Sequence, residues 1–190
     1  WCGQPAAVIT VDGKLDDWAG TPFAVVLDAA HLGATIYADP AIAGGDADCS
    51  GRIGMCWSGT TLYIAAQVRD DRLAPIDAKK GYAAPWLHDG LMIYLKATDA
   101  LAQTGRYGTE YRRDPYVESW ATLGLTYYQP GAPPRPLPGS SRYVARAVAG
   151  GYILEAAIDL PGLGYLRPLP GDRFKLAMLI VDQDPGLPAR

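Results

Sequence analysis

The sequence predicts an all-β chain: an antiparallel two-sheet β-sandwich of the immunoglobulin-like or jelly-roll-like kind, with few short helical turns. Three observations lead there. The 20 acidic residues are 17 Asp and 3 Glu, with 5 Lys, 22 Gly and 16 Pro, a composition that favours turns over the exposed faces of helices. Two segments alternate apolar and polar residues on either side of a Gly-containing turn. The apolar runs, such as Leu176 to Val181, have strand length. At 190 residues, 49% hydrophobic and 19% charged, the chain is large enough and apolar enough to bury a core. No composition shift marks a boundary, so residues 1–190 read as a single domain.

The elements follow in order. Ala6 to Val11 is a strand candidate closed by the turn Asp12-Gly13-Lys14, and Phe23 to Asp28 is a second. Residues 29–50, rich in Ala, Gly and Asp, read as a long loop. Arg52 to Ser58 and Thr61 to Arg69 form a hairpin about Ser58-Gly59-Thr60, with Leu62, Ile64, Ala66 and Val68 on one face. A loop over 72–88 precedes the strand Asp89 to Ala97. Residues 98–141 hold a Pro-rich segment that no central strand accommodates, and two strands and an extended loop are expected there. Arg142 to Val148 and Tyr152 to Ile158 form the second hairpin. One helical turn is expected over 159–164. Arg173 to Asp182 is apolar on both faces and reads as a central strand. The total, about eight to ten strands with regular turn signals, has sandwich spacing.

Composition also limits function. A formal charge of −3 and a pI near 5.3 argue against a nucleic-acid partner. No run of about 18 apolar residues is present to span a bilayer as a helix. No GxSxG or HExxH occurs, and His31 and His88 are far apart, so the chain does not read as an enzyme. The chain opens on Trp1 rather than Met, which reads as a processed product and suits a secreted or periplasmic protein.

Several residues are candidates for a site. Tyr outnumbers Phe by 12 to 2, beside 5 Trp, which points to aromatic faces at the surface. Such rings stack on sugars or line protein interfaces. Trp86, in a Pro-flanked loop before Asp89, is the best candidate platform. Asp89, Tyr111, Arg113 and Trp120 are candidate partners for a ligand, while Trp18 and Trp57 read as core. Asp12, Asp70, Asp71 and Asp182, with Asp16, Asp17 and Asp184 beside them, sit at turns and strand ends. They are candidate calcium ligands, although Asx-turns and solvated strand ends give the same pattern. Cys49 and Cys56 bracket a Gly-containing stretch and are one possible disulfide. Cys2 is an alternative partner for either, and buried thiols remain the other reading.

The order of these pieces resembles the family 9 carbohydrate-binding modules. VDGKLDDWAG, IGMCWSGTTLYIAAQVRDD, PWLHDGLMIYL, GGYILEAAIDLPGLG and PGDRFKLAMLIVDQD look like that family's entry, central hairpin, Asp-led strand, closing hairpin and last long strand. The resemblance covers residues 8–19, 52–97 and 142–184. It implies a secreted, non-catalytic β-sandwich that binds sugar chain ends between two tryptophans, with calcium in structural sites. Trp86 matches the first of those tryptophans, but no Trp follows Trp120 here. An alternative is therefore an accessory subunit whose sandwich and long loops dock on a larger exported or membrane-associated assembly. The scaffold also looks like the haem-carrying small subunit of certain periplasmic molybdenum dehydrogenases, for which Met92 and Lys96 are the matching axial pair.

Overall fold

The computed structural model describes residues 3–31, 45–75, 88–97, 121–126, 128, 136–163 and 174–184. These contain eight strands: β1 (Val25–Leu27), β2 (Cys49–Ser58), β3 (Thr61–Asp70), β4 (Gly90–Ala97), β5 (Ala121–Thr126), β6 (Arg142–Val148), β7 (Gly151–Asp159) and β8 (Phe174–Val181). Two single turns of 3₁₀ helix, Asp16–Trp18 and Pro161–Leu163, complete the regular structure. The strands form a five-stranded sheet in the order β1-β2-β3-β7-β6 and a three-stranded sheet in the order β5-β4-β8. All ladder pairs between these strands are antiparallel.

Alternation explains the packing. In β3 the residues Ile64, Ala66 and Val68 turn inward with Ile53 of β2 and Leu154, Ala156 and Ile158 of β7. They meet Leu91, Ile93 and Leu95 of β4 and Leu123 and Leu125 of β5. Fully burying each large aliphatic side chain contributes about 1.5–3 kcal/mol, so this inter-sheet layer is the main stabilising feature. Gly51 lies on the inner face of β2, where an added Cβ would lie 2.6 Å from Ile180 Cδ1 of the facing sheet. Gly151 opens β7 at φ 146°, a conformation L side chains rarely adopt. An added Cβ there would also strike the Val68 carbonyl oxygen.

The outer face of the five-stranded sheet is only half covered. Residues 9–23 cross it and bury Ile9 and Trp18 against Cys56 and Ala65, with Leu15, Phe23 and Tyr63 packed alongside. The covered rows of the sheet carry small residues: Gly54, Ala65 and Ala157. The Phe23 ring sits over Gly54, its nearest carbon 3.2 Å from where a Cβ would stand.

One buried carboxylate, Glu155, holds this segment down. Its Oε1 accepts the Trp18 Nε1–H at 2.7 Å, and its Oε2 accepts the backbone N–H groups of Gly13 at 2.5 Å and Asp12 at 3.1 Å. Glu155 is fully buried. Burial raises its pKa and the three donated hydrogen bonds oppose the rise.

Several expectations need correction. Residues 6–11 begin with a bend at 6–7 and form no strand among the described residues; Ile9 is buried and Val8 is 87% exposed. Among the described residues β4, not β8, is the central strand of its sheet. Residues 174–181 are partly buried or exposed where described, because only β4 flanks them. Trp18 is core as expected, at 2% exposure, whereas Trp57 is only half-buried. Cys49 and Cys56 lie on the same strand seven residues apart. At about 3.3 Å per residue they are roughly 23 Å apart, far beyond disulfide reach. Cys2 lies outside the described residues, but its neighbour Gly3 pairs with Cys56 in a short parallel bridge. Of the long loops at 29–50, 72–88 and 98–141, most residues also lie outside the description.

The Glu155 anchor makes a direct prediction. In Glu155→Gln the amide has a single acceptor oxygen, and its NH₂ group opposes one set of donors. Unfolding free energy should fall by about 1–3 kcal/mol, read by denaturant titration. Hydrogen exchange at the Asp12 and Gly13 amides should accelerate selectively.

Candidate metal centre and the site around it

Antiparallel pairing brings particular chain ends together. The start of β2 faces the end of β3 through the pair Cys49 and Asp70. The start of β4 faces the end of β8 through Gly90 and Val181. An Asp placed at each of these ends must therefore collect at one pole of the sandwich. Six do so, in two triads. In one, carboxylate oxygens of Asp70, Asp89 and Asp182 lie within 4.8 Å of one another; in the other, those of Asp48, Asp71 and Asp184 do the same.

The first triad is the more enclosed. Asp89 is fully buried and Asp70 is 4% exposed. Asp89 Oδ2 accepts the Ala74 N–H, and Oδ1 accepts the Gln183 N–H at 2.9 Å. One side chain thus ties the loop after β3 to the residue pair following β8. Asp70 Oδ1 accepts the Arg72 N–H at 2.8 Å. In the second triad, Asp184 Oδ1 is buried and has no hydrogen-bond partner among the described residues. The exposed Arg72 approaches Asp71 at 3.9 Å, an ion pair of small value at a solvated surface.

Crowded, desolvated carboxylates resist ionisation. Burial, followed by the charges of Asp70 and Asp182, pushes the Asp89 pKa up to about 7. Burial, followed by the charge of Asp70, does the same for Asp182, also to about 7. Asp70 is raised too, chiefly by burial. The nearby Cys49 thiol is pushed up to about 12 by burial and then by Asp182, so it is a poor nucleophile.

Such a pole has two ways to relieve its charge: protons or a hard cation. Calcium is bound by carboxylate and carbonyl oxygens and tolerates irregular geometry. Two carboxylate triads at strand termini, one with an unsatisfied buried oxygen, fit it. Asp70, Asp71, Asp182 and Asp184 were legible as candidate ligands, and Asp48 and Asp89 join them. Asp48 was missed because it sits in a stretch that reads as plain loop. Asp12 lies outside both triads. It sits at the Glu155 anchor, where its carboxylate caps the Lys14 N–H at 2.9 Å and meets Lys14 Nζ at 3.2 Å, an Asx-turn. Asp89 has a different setting. Read as a ligand-facing group, it is sealed inside with both oxygens engaged. Trp86, Tyr111, Arg113 and Trp120 lie outside the described residues. Met92 is buried at 5% exposure on β4, and the Lys96 side chain lies outside the description.

Comparison with known proteins places this arrangement. Residues 24–188 match the model of the carbohydrate family 9 binding domain-like family. The chain belongs to that family. It is a family of non-catalytic binding modules built as β-sandwiches, in agreement with the two antiparallel sheets described here. Among solved structures, this family 9 domain is similar to a carbohydrate-binding module of family 9 from Caldicellulosiruptor kristjanssonii in complex with cellotriose. Identity is 16% and the TM-score 0.59, over 97% of this chain and 77% of that one. A module of family 9 from the same organism in complex with glucose is similar at 16% identity and a TM-score of 0.58, over 96% of this chain and 78% of that one. No curated protein matches.

The pole predicts an inverted pH dependence in metal-free protein. Asp89 and Asp182 have folded pKa values near 7, above about 3.9 in the unfolded chain. Between those limits the native state holds more protons. Stability should therefore fall as pH rises from about 4 to about 7 and then level off. Calcium binds the ionised carboxylates, so adding it should remove that decline. Thermal melts across this window, in chelator and in calcium, measure both effects.

Proposed function

We propose that this family 9 domain is an exported, non-catalytic module that binds a sugar at the end of a polysaccharide chain. The sugar stacks on Trp86, and calcium stiffens the pole at the start of β4. The observation that carries this reading is the anchoring of Asp89. Trp86 stands three residues before a side chain that is fully buried and tied to Ala74 and Gln183. The chain therefore enters β4 from a fixed point, which limits the entropy lost when a flanking aromatic residue engages a ligand. Family membership and the two sugar complexes of similar modules support the same class of ligand. Tyr111, Arg113 and Trp120 are retained as partners for the sugar, with Arg113 offering planar donors to hydroxyl pairs.

In this proposal calcium acts through stability. Asp70, Asp89 and Asp182 would hold one ion, and Asp48, Asp71 and Asp184 a second. A bound ion neutralises the carboxylates and joins the ends of β3 and β8 to the start of β4. At free calcium a hundredfold above the dissociation constant, stabilisation would be about 2.7 kcal/mol per site.

Titration calorimetry with glucose and cellotriose tests the sugar site. Trp86→Ala should weaken both by at least about tenfold, roughly 1.4 kcal/mol, with the melting temperature unchanged. Binding that is equal in the two proteins would remove Trp86 from the site.

A further inference from the structure

We propose that the outer face of the five-stranded sheet carries a second saccharide site, a groove that takes a stretch of a neutral, hydroxyl-rich glycan chain. Where residues 9–23 stop covering this face, the small residues give way to long ones. Register places Val26, Arg52, Gln67, Ile153 and Arg146 in one row across all five strands. The next outward row contains Arg69 and Val148. Above these rows lies a cavity of about 680 Å³, within the range of small-ligand sites. From β1 to β7 it crosses three strand spacings, about 14 Å, which suits several linked sugar rings better than one.

The lining specifies the chemistry. Val26 beside Arg52 and Ile153 beside Gln67 provide apolar patches for the C–H faces of sugars. Arg52, Gln67 and Arg69 are exposed and make no hydrogen bond or ion pair with the described residues. They present two guanidinium forks and an amide to solvent. Asp28 and Asp46 supply acceptors at the rim. Both are held in place, Asp28 by His31 Nδ1 at 2.6 Å and Asp46 by the Ala29 N–H at 2.7 Å.

Among the side chains that line the cavity, Arg52 and Arg69 balance Asp28 and Asp46, and Arg146, in the row but outside that lining, lies within reach of the Asp12 charge, so the lining has no net charge with which to select a polyanion. A peptide adding as a strand is excluded as well, because β2 and β3 are paired on both sides here. Alternating donors, acceptors and apolar patches are what a neutral polyhydroxyl chain needs. None of the residues named in this groove is one assigned to the chain-end site.

Affinity electrophoresis in gels containing mixed-linkage β-glucan, xylan or glucomannan tests the groove, with Trp86→Ala as the background. At least one polysaccharide should still retard Trp86→Ala. Adding R52A and Q67A should weaken that retardation by at least about tenfold, as expected for lost charge-assisted hydrogen bonds. Both added positions are exposed, and an unchanged melting temperature verifies the fold. Two results overturn the groove: no retardation of Trp86→Ala by any of the three, or equal retardation after R52A and Q67A. Failure of the chain-end reading looks different, as glucose binding by calorimetry that Trp86→Ala leaves intact.

Discussion

The pairing of Cys49 with Asp70 and of Gly90 with Val181 fixes four chain ends against one another, and each of these ends carries Asp. Register therefore converts a compositional bias into a concentration of charge. A sandwich with Asn or Ser at these positions would keep its ladders and lose the pole. With Asp there, the two sheets meet at a point where like charges oppose each other inside a low-dielectric rim. Asp89 is engaged on both oxygens by backbone donors, and it bridges the segment after β3 to the residues after β8. The pole is thus both the place where the sheets are joined and the place where they repel.

A second constraint operates at the other half of the five-stranded sheet. A sheet in a sandwich needs cover on one face only, yet here a second, smaller apolar cluster forms on the outside around Trp18, Cys56 and Ala65. Glu155 makes this possible. Its carboxylate satisfies three donors of the crossing segment that would otherwise be buried without partners. The division of the outer face into small and long residues matches the path of that segment, with Gly54, Ala65 and Ala157 beneath it and Arg52, Gln67 and Arg69 beyond it.

Much of this was legible in the sequence. The two hairpins and β4 fall within a residue or a few of their expected bounds, because alternation and Gly-containing turns are local signals. The collection of Asp70, Asp71 and Asp182 was readable as strand-end chemistry. Other features were not readable, for stated reasons. Residues 6–11 have strand composition, but pairing depends on distant partners and they find none among the described residues. Asp12 carries the same local signature as the metal candidates, and only tertiary contact with the Glu155 anchor separates it from them. Glu155 itself lies in a run of inward and outward residues as an apparent polar position, and its burial is decided by a segment about 140 residues away. The two cysteines sit in one strand because the Gly-containing stretch between them continues β2 instead of turning.

The short parallel bridge between Gly3 and Cys56 also affects the protein's behaviour in solution. β1 covers only Gly51 to Ile53 of its neighbour, so among the described residues much of that side of β2 is an open row of backbone donors and acceptors. Such a row is a template on which another chain can add a strand. Gly3 occupies it at Cys56, where its carbonyl takes the Trp57 N–H at 3.0 Å. The segment at Gly3 thus serves as a stopper on that edge. Displacing it would leave backbone groups on which a second copy of the chain could add a strand.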